Sequence, residues 1–155
     1  MIPLKRPFGI ECVRPRLLGG AALICGLLLG CGGIDDAPPR YDVMGTVLFK
    51  GEPIPAGEIQ FIPDSAKGAK GPAGNAVVTD GRFNTAERGT GIVGGAHYVV
   101  ISGFDGQGDP EGLAPLGRPL FVRYRIAHKF PPVSEAPEEG PLQVEFEVPA
   151  SAAGR

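Results

Sequence analysis

Short runs of alternating apolar and polar residues follow one another along the chain beyond residue 40. Residues 142–148, LQVEFEV, place four apolar side chains on one face of an extended strand and three polar ones on the other. Alternation of this kind predicts a β-strand with one buried and one solvent-facing side. Beyond residue 40, no stretch long enough for an ordinary helix has apolar residues at the helical period of 3.6. The pattern therefore predicts an all-β domain.

About seven strands are predicted, separated by segments rich in glycine and proline. The two-residue link Asp80-Gly81 joins the third and fourth strands and favours a type I′ hairpin turn. Phe61, Phe83 and Tyr98 are expected to supply core volume. The predicted strands cover residues 41–50, 57–62, 75–79, 82–86, 96–102, 122–126 and 142–148.

The last two predicted strands carry opposite charges on their solvent-facing sides. Arg123 and Arg125 alternate with apolar residues in one strand, and Glu145 and Glu147 do so in the other. If the two strands are neighbours, the arginines lie across from the glutamates, and each exposed pair contributes about 0.2–1 kcal/mol. The inward-facing positions of the first of these strands are predicted to be Val122, Tyr124 and Ile126.

The first thirty residues have the composition of a secretory signal. Four basic residues come before the apolar run 17–29, LLGGAALICGLLL. A helix needs about 20 apolar residues to cross a bilayer core, so this run is too short for a permanent anchor and fits a signal-peptide core. Residues 1–30 are therefore expected to be removed.

The apolar run ends in Leu28-Leu29-Gly30-Cys31, which resembles the bacterial lipobox. The resemblance implies cleavage between Gly30 and Cys31, and acylation of Cys31 by fatty chains such as palmitate. Each buried methylene contributes about 0.8 kcal/mol, so two or three chains anchor a protein stably in membrane lipid. An ordinary secretory signal with an incidental cysteine is the alternative. Cys12 and Cys25 would leave with the signal, so the remaining chain would have no disulfide.

The chain that remains after this cleavage is acidic. It keeps 11 basic and 16 acidic residues, a net charge of about −5. Its basic residues are scattered and tryptophan is absent, so nucleic acid is not an expected partner. Residues 31–40 are predicted to be the lipidated cysteine and a flexible tether. A single domain is expected at 41–149, with a disordered tail at 150–155.

Candidate chemistry in this domain is sparse. Asp105, Asp109 and Glu111 lie within seven residues of each other in the glycine-rich segment 103–119, which is predicted to be a mobile loop or a surface insertion. Their oxygens are calcium ligands in principle, but the spacing does not match an EF-hand. A solvated acidic loop is the favoured interpretation, and no cofactor is expected.

Two histidines remain beyond the signal. His97 lies within a predicted strand and His128 just past one, and a Ser-His-Asp triad would have to use one of them. No G-x-S-x-G motif is present, and structural roles are favoured for both residues. An envelope hydrolase that uses a loop histidine is the alternative function.

Five short motifs lie at Gly45–Val47, Lys50–Gly57, Ile59–Pro63, Thr79–Phe83 and Gly95–Gly103. Together they resemble the carboxypeptidase-regulatory-like, or transthyretin-like, domain of lipid-anchored proteins in planctomycete-type bacteria. The resemblance covers Tyr41–Val148 and implies an immunoglobulin-like antiparallel β-sandwich. A small Greek-key barrel is the alternative that alternation alone leaves open. The Tyr-Arg-Gly-Ser tail of the related hydroxyisourate hydrolase is missing, so that activity is not implied.

Together these features predict a non-catalytic binding or structural module at the cell envelope, outside the cytoplasm. Its expected partner, beyond membrane lipid, is an envelope protein or a glycan, because fold alone does not decide between them. Exposed edge strands would offer a docking mode through strand addition. Gly32 follows Cys31, and the absence of aspartate at that position favours the outer membrane over the inner one.

Overall fold

A computed structural model describes residues 38–109 and 112–153 of the chain. These residues belong to one compact unit, Ala37–Arg155. The all-β prediction is confirmed. The strands are β1 (Val43–Phe49), β2 (Glu52–Pro53), β3 (Ala56–Pro63), β4 (Gly74–Thr79), β5 (Arg82–Asn84), β6 (Gly89–Thr90), β7 (Gly95–Phe104), β8 (Pro119–Phe130) and β9 (Leu142–Val148). A one-turn helix, α1, covers Thr85–Arg88, and 3-10 helices cover Ser65–Lys67, Val133–Glu135 and Ala150–Ala152.

The strands form one continuous sheet that curls on itself. Its order is β2-β1-β5-β4-β3-β7-β8, with β6 also paired to β4 and β9 also paired to β1. Most neighbours are antiparallel, but β9 runs parallel to β1 along its whole length. The sheet is thus mixed, whereas the sequence predicted antiparallel neighbours throughout.

The core lies inside the curl and is dominated by phenylalanine. The ring centroid of Phe61 in β3 lies 5.9 Å from that of Phe83 in β5, 5.7 Å from that of Phe130 in β8 and 6.5 Å from that of Phe146 in β9. Tilted and edge-on pairs at these distances add to the apolar burial. Because β3 and β9 are not paired strands, these contacts join opposite walls of the sheet.

The hairpin predicted at Asp80-Gly81 is confirmed. Thr79 pairs with Arg82 across the two-residue link, and φ is 49° at Asp80 and 73° at Gly81. Two consecutive positive φ angles define a type I′ turn, which matches the right-handed twist of the flanking strands. The turn packs beneath β2, because a Cβ added at Gly81 would lie 2.5 Å from the Cβ of Pro53.

The predicted pairing of the two charged strands is wrong. β8 pairs with β7, and β9 pairs with β1, so Arg123 and Arg125 do not lie across from Glu145 and Glu147. Instead, Thr46 donates a hydrogen bond to Glu145, with 3.2 Å between the oxygens. Alternation along each strand predicts which side chains share a face, but it does not specify which strands are neighbours.

The predicted inward face of β8 is interrupted by a bulge. Phe121 pairs with Gly103, and Tyr124 pairs with Ile101, so two β8 residues oppose the single residue Ser102. This extra residue turns Val122 outward, where it is 42 % exposed, and Phe121 takes the inward position.

Tyr98 does not fill the core, contrary to the prediction. Val99 and Ile101 are fully buried on the inner face of β7, and side chains alternate along a strand, so His97 also faces inward and Tyr98 outward. The Arg125 guanidinium lies 3.4 Å from the centroid of the Tyr98 ring on that outer face. Phe61 and Phe83 are buried as predicted.

Two predicted ends shift because of side-chain caps and packing. The strand predicted to reach residue 86 ends at Asn84, whose side chain accepts a hydrogen bond from the Ala86 amide and starts α1. The chain is ordered past residue 149, since a 3-10 helix covers Ala150–Ala152 and Ala152 is buried. The predicted disordered tail therefore does not begin at residue 150.

None of the helices among the described residues is long and apolar enough to cross a membrane.

Candidate functional site

The predicted lipidation site, Cys31, and the cleavage position at Gly30 lie outside the described residues. The first described residue is Pro38, which is exposed, and the chain joins the domain at Tyr41. The Tyr41 amide donates to the Ile92 carbonyl, and the Ile92 amide donates back to the Tyr41 carbonyl. The Tyr41 hydroxyl also donates to the Pro131 carbonyl at 2.8 Å, and burial raises the pKa of this phenol to about 12.

The acidic loop is organised by Asp105. Its Oδ1 accepts hydrogen bonds from the backbone amides of Gln107, at 3.0 Å, and Arg118, at 2.9 Å. These bonds join the two ends of the loop, so the Asp105 carboxylate has a structural role. Asp109 accepts a bond from the Gly112 amide through its main-chain carbonyl, and Glu111 lies outside the described residues. Residues 38–109 and 112–153 contain no group of three or more potential metal ligands.

The structure brings the two histidines together. His97 in β7 and His128 in β8 are directly opposite partners in the antiparallel ladder. His128 thus lies inside a strand, whereas the sequence placed it just past one. The ring of Phe130 contacts both imidazoles, with centroids 5.3 Å from His97 and 4.5 Å from His128, and Phe146 contacts His128.

The surroundings of this pair are mainly apolar. His97 is 2 % exposed, and its Nδ1 donates to the Gly95 carbonyl at 3.1 Å. Its Nε2 is buried and has no hydrogen-bond partner among the described residues. Burial lowers the pKa of both imidazoles, and the charge of His97 lowers that of His128 further. The pair is therefore held mainly in its neutral form, which suits an apolar core better than proton transfer with a nucleophile.

A groove of about 530 Å³ lies where the chain enters the domain. Its floor includes the buried side chains of Ala69 and Val93. Three exposed lysines, Lys67, Lys70 and Lys129, line it together with Pro38, Pro39 and Val133. These are three of the four lysines that follow residue 30, the fourth being Lys50. The groove therefore concentrates positive charge in a domain whose overall charge is negative.

Asp64 fixes the loop that carries two of these lysines. Its amide donates to the Ala96 carbonyl at 2.8 Å, which attaches the loop to β7. Its Oδ1 accepts from the Ala66 amide and starts the 3-10 helix, which ends at Gly68 with φ of 81°. Its Oδ2 lies 3.7 Å from the Lys67 Nζ. The buried carboxylate thus holds one lysine of the groove in place.

The third lysine comes from a distant part of the chain. Lys129 pairs with Ala96 across the β7–β8 ladder, which brings it close to the Asp64 loop. The part of the groove wall formed by Gly94 is close-packed, because a Cβ added at Gly94 would lie 2.5 Å from the Pro131 carbonyl oxygen. Strand pairing therefore sets the position of Lys129 relative to the other two.

Sequence reasoning missed this groove. Residues 63–74, PDSAKGAKGPAG, have no apolar alternation, and the basic residues are scattered along the sequence. The spacing of Lys67 and Lys70 was the only local signal. Lys129 is about sixty residues away in the sequence and joins them only when β7 and β8 pair.

No protein-family model matches the chain, and searches of the curated proteins and of the solved structures gave no match either.

Proposed function

We propose that this protein is a lipoprotein of the bacterial cell envelope, with a β-domain that acts as a non-catalytic binding or structural module. Residues 1–30 are removed, and acylated Cys31 anchors the chain in membrane lipid. The observation that carries the proposal is Leu28-Leu29-Gly30-Cys31 at the end of a basic and then apolar segment. The domain then lies outside the cytoplasm, and Gly32 favours the outer membrane.

The organisation of the domain supports this processing. The residues of the described apolar core lie between Val43 and Ala152, so removal of residues 1–30 takes none of them away. Cys31 is the one cysteine left after that removal, which leaves no partner for a disulfide within the chain. Both features are expected of a domain that folds on its own after export.

The curled sheet is, in this proposal, a carboxypeptidase-regulatory-like or transthyretin-like sandwich. Support comes from the ring contact between Phe61 and Phe146, which joins opposite walls, and from the hairpin at Asp80-Gly81. β8 ends the strand order, and β9 pairs with β1 alone among the described strands. Their outer edges offer backbone groups to an envelope protein or glycan partner.

The burial of the histidines supports a non-catalytic role. A general base must reach the proton that it removes, and a nucleophile must lie within hydrogen-bond distance of it. The His97 ring is enclosed by the core and donates to a backbone carbonyl, while His128 lies against Phe130 and Phe146. The hydrolase alternative has no comparable support.

The test is the intact mass of the protein purified from its native membranes. We expect a chain that begins at Cys31 and carries two or three acyl chains. Cys31→Ser should abolish both acylation and cleavage before residue 31, so the purified chain should keep residues 1–30 and carry no added acyl mass. Cys25→Ser is the matched control, because it changes a cysteine inside the apolar run and should leave the mature mass unchanged. Retention of residues 1–30, or an unmodified Cys31, would contradict the proposal.

A further inference from the structure

The lysine-lined groove lies at the point where the chain comes from the proposed anchor. Pro38 lines the groove and is seven residues after Cys31. An extended chain spans at most about 3.6 Å per residue, so Pro38 lies within about 25 Å of the acylated cysteine. The groove therefore lies within reach of the membrane surface in which the proposed anchor is inserted.

The charges around the groove favour an anionic occupant. Lys67 lies 3.7 Å from the Asp64 carboxylate, which is 4 % exposed and thus points away from solvent. The short helix that carries the groove residue Val133 ends at Glu135, an exposed residue that does not line the groove. Lys70 and Lys129 are exposed, and no ion pair of theirs is seen within the described part of the chain. Three ammonium groups thus line the groove, and the one carboxylate paired with any of them among the described residues is the buried Asp64.

We infer that the groove formed by Lys67, Lys70 and Lys129 docks the domain onto the anionic phospholipid headgroups of the membrane in which Cys31 is anchored. This inference rests on the proposed lipoprotein function. The lysines attract the phosphates, and the apolar floor at Ala69 and Val93 admits the glycerol backbone of a headgroup. Docking of this kind fixes the orientation of the domain and leaves its opposite end, with Lys50 and the Asp105 loop, directed away from the membrane.

Lysine footprinting tests the inference on the protein as purified from its membrane. The protein is reconstituted into vesicles of phosphatidylcholine alone or of phosphatidylcholine with phosphatidylglycerol, and an amine-acetylating reagent is added. Mass spectrometry then gives the labelling rate of each lysine. We expect labelling of Lys67, Lys70 and Lys129 to be about five-fold slower on the anionic vesicles, the factor that about 1 kcal/mol of attraction per lysine gives.

Lys50 is the internal control, because it lies outside the groove and should label equally on both vesicles. The protection should disappear near 1 M salt, where the Debye length is about 3 Å. Glycerol phosphate in solution should not reproduce it, which separates a membrane surface from a free phosphate. In a variant that combines Lys70→Gln with Lys129→Gln, protection of Lys67 should fall. The matched control Lys50→Gln should leave that protection unchanged.

Equal labelling of the groove lysines on neutral and anionic vesicles would overturn the inference. If the groove lysines are protected equally on neutral and anionic vesicles, and that protection is lost in an Asp35→Asn, Asp36→Asn variant, the groove holds the tether instead of lipid headgroups. Protection in native envelopes but not on anionic vesicles would assign the groove to a protein or glycan. An intact mass with Cys31 unmodified would contradict the lipoprotein function alone, since the same labelling comparison still decides what the groove binds.

Discussion

Gly81 is a residue at which both backbone angle and space require glycine. Its φ is 73°, and a Cβ there would lie 2.5 Å from the Cβ of Pro53 and 3.0 Å from its Cα. Gly51 has a similar φ of 81°, but a Cβ there would have no neighbour within 4 Å. Substitutions at these two positions therefore distinguish the free-energy cost of a left-handed backbone from the cost of a steric overlap.

We expect Gly51→Ala to lower the free energy of unfolding by about 1–2 kcal/mol, the cost of the left-handed conformation for an L-residue. Gly81→Ala should carry the same cost and a further loss of about 1–3 kcal/mol, because Pro53 must move. Urea unfolding of residues 32–155 measures both values. Equal losses in the two variants would mean that β2 moves freely away from the turn.

At the scale of elements, the bulge in β8 gives the two arginines of this strand, Arg123 and Arg125, different surroundings. Arg123 has a φ of 54° in the bulge, and its amide donates to the Ser102 hydroxyl oxygen at 3.0 Å. Beyond the bulge, Arg125 returns to the outer face and lies over the Tyr98 ring. Glu145 belongs to a strand on the far side of the sheet order. The Arg125 guanidinium therefore has an aromatic partner, whereas the hydrogen bond of Arg123 to Ser102 is made by its backbone amide.

A double-mutant cycle on Arg125→Ala and Tyr98→Leu should give a coupling energy of about 0.5–1 kcal/mol, as for an exposed cation–π pair. The same cycle on Arg123→Ala and Glu145→Ala is the matched control. Its coupling should stay below about 0.3 kcal/mol, because β8 and β9 are not paired. Free energies of urea unfolding supply both cycles, and a larger coupling in the control would contradict the strand order.

At the scale of the whole molecule, the buried histidines make stability depend on pH. Burial lowers the pKa of His97, while its bond to the Gly95 carbonyl acts weakly in the opposite direction, and His128 is lowered by burial and by His97. An unfolded histidine binds its proton near pH 6.5. Below that pH the unfolded chain holds more protons than the folded one, so the free energy of unfolding falls with acidification.

We expect the urea midpoint to be nearly constant above about pH 7 and to fall as the pH decreases from about 6.5 to about 5.5, above the range where carboxylates titrate. His97→Leu should reduce this slope even if its stability at neutral pH is lower. His128→Gln, at a half-buried position, should reduce it less. If His97→Leu keeps the full slope of the parent chain, the buried imidazole is not its source.

The sequence alone was enough to identify seven of the nine described strands, the faces of most of them and the Asp80-Gly81 hairpin. These features depend on the period of two along a strand and on turn geometry, which are set by residues close together in the chain. The signal segment and the acylation site at Cys31 are linear motifs, and they stay predictions. The orientation of the β7 side chains was a local question too, and the prediction that Tyr98 supplies core volume was wrong, because Val99 and Ile101 take the inward positions.

Only the tertiary structure decided which strands are neighbours, where β8 bulges and which charges meet. The parallel pairing of β1 with β9 joins residues about a hundred positions apart, and no local pattern encodes that choice. The same holds for Lys129, which reaches Lys67 and Lys70 through the β7–β8 ladder and the Asp64 loop. Alternation fixes which side of a strand is buried, whereas the sum of packing over the whole core fixes what that strand lies beside.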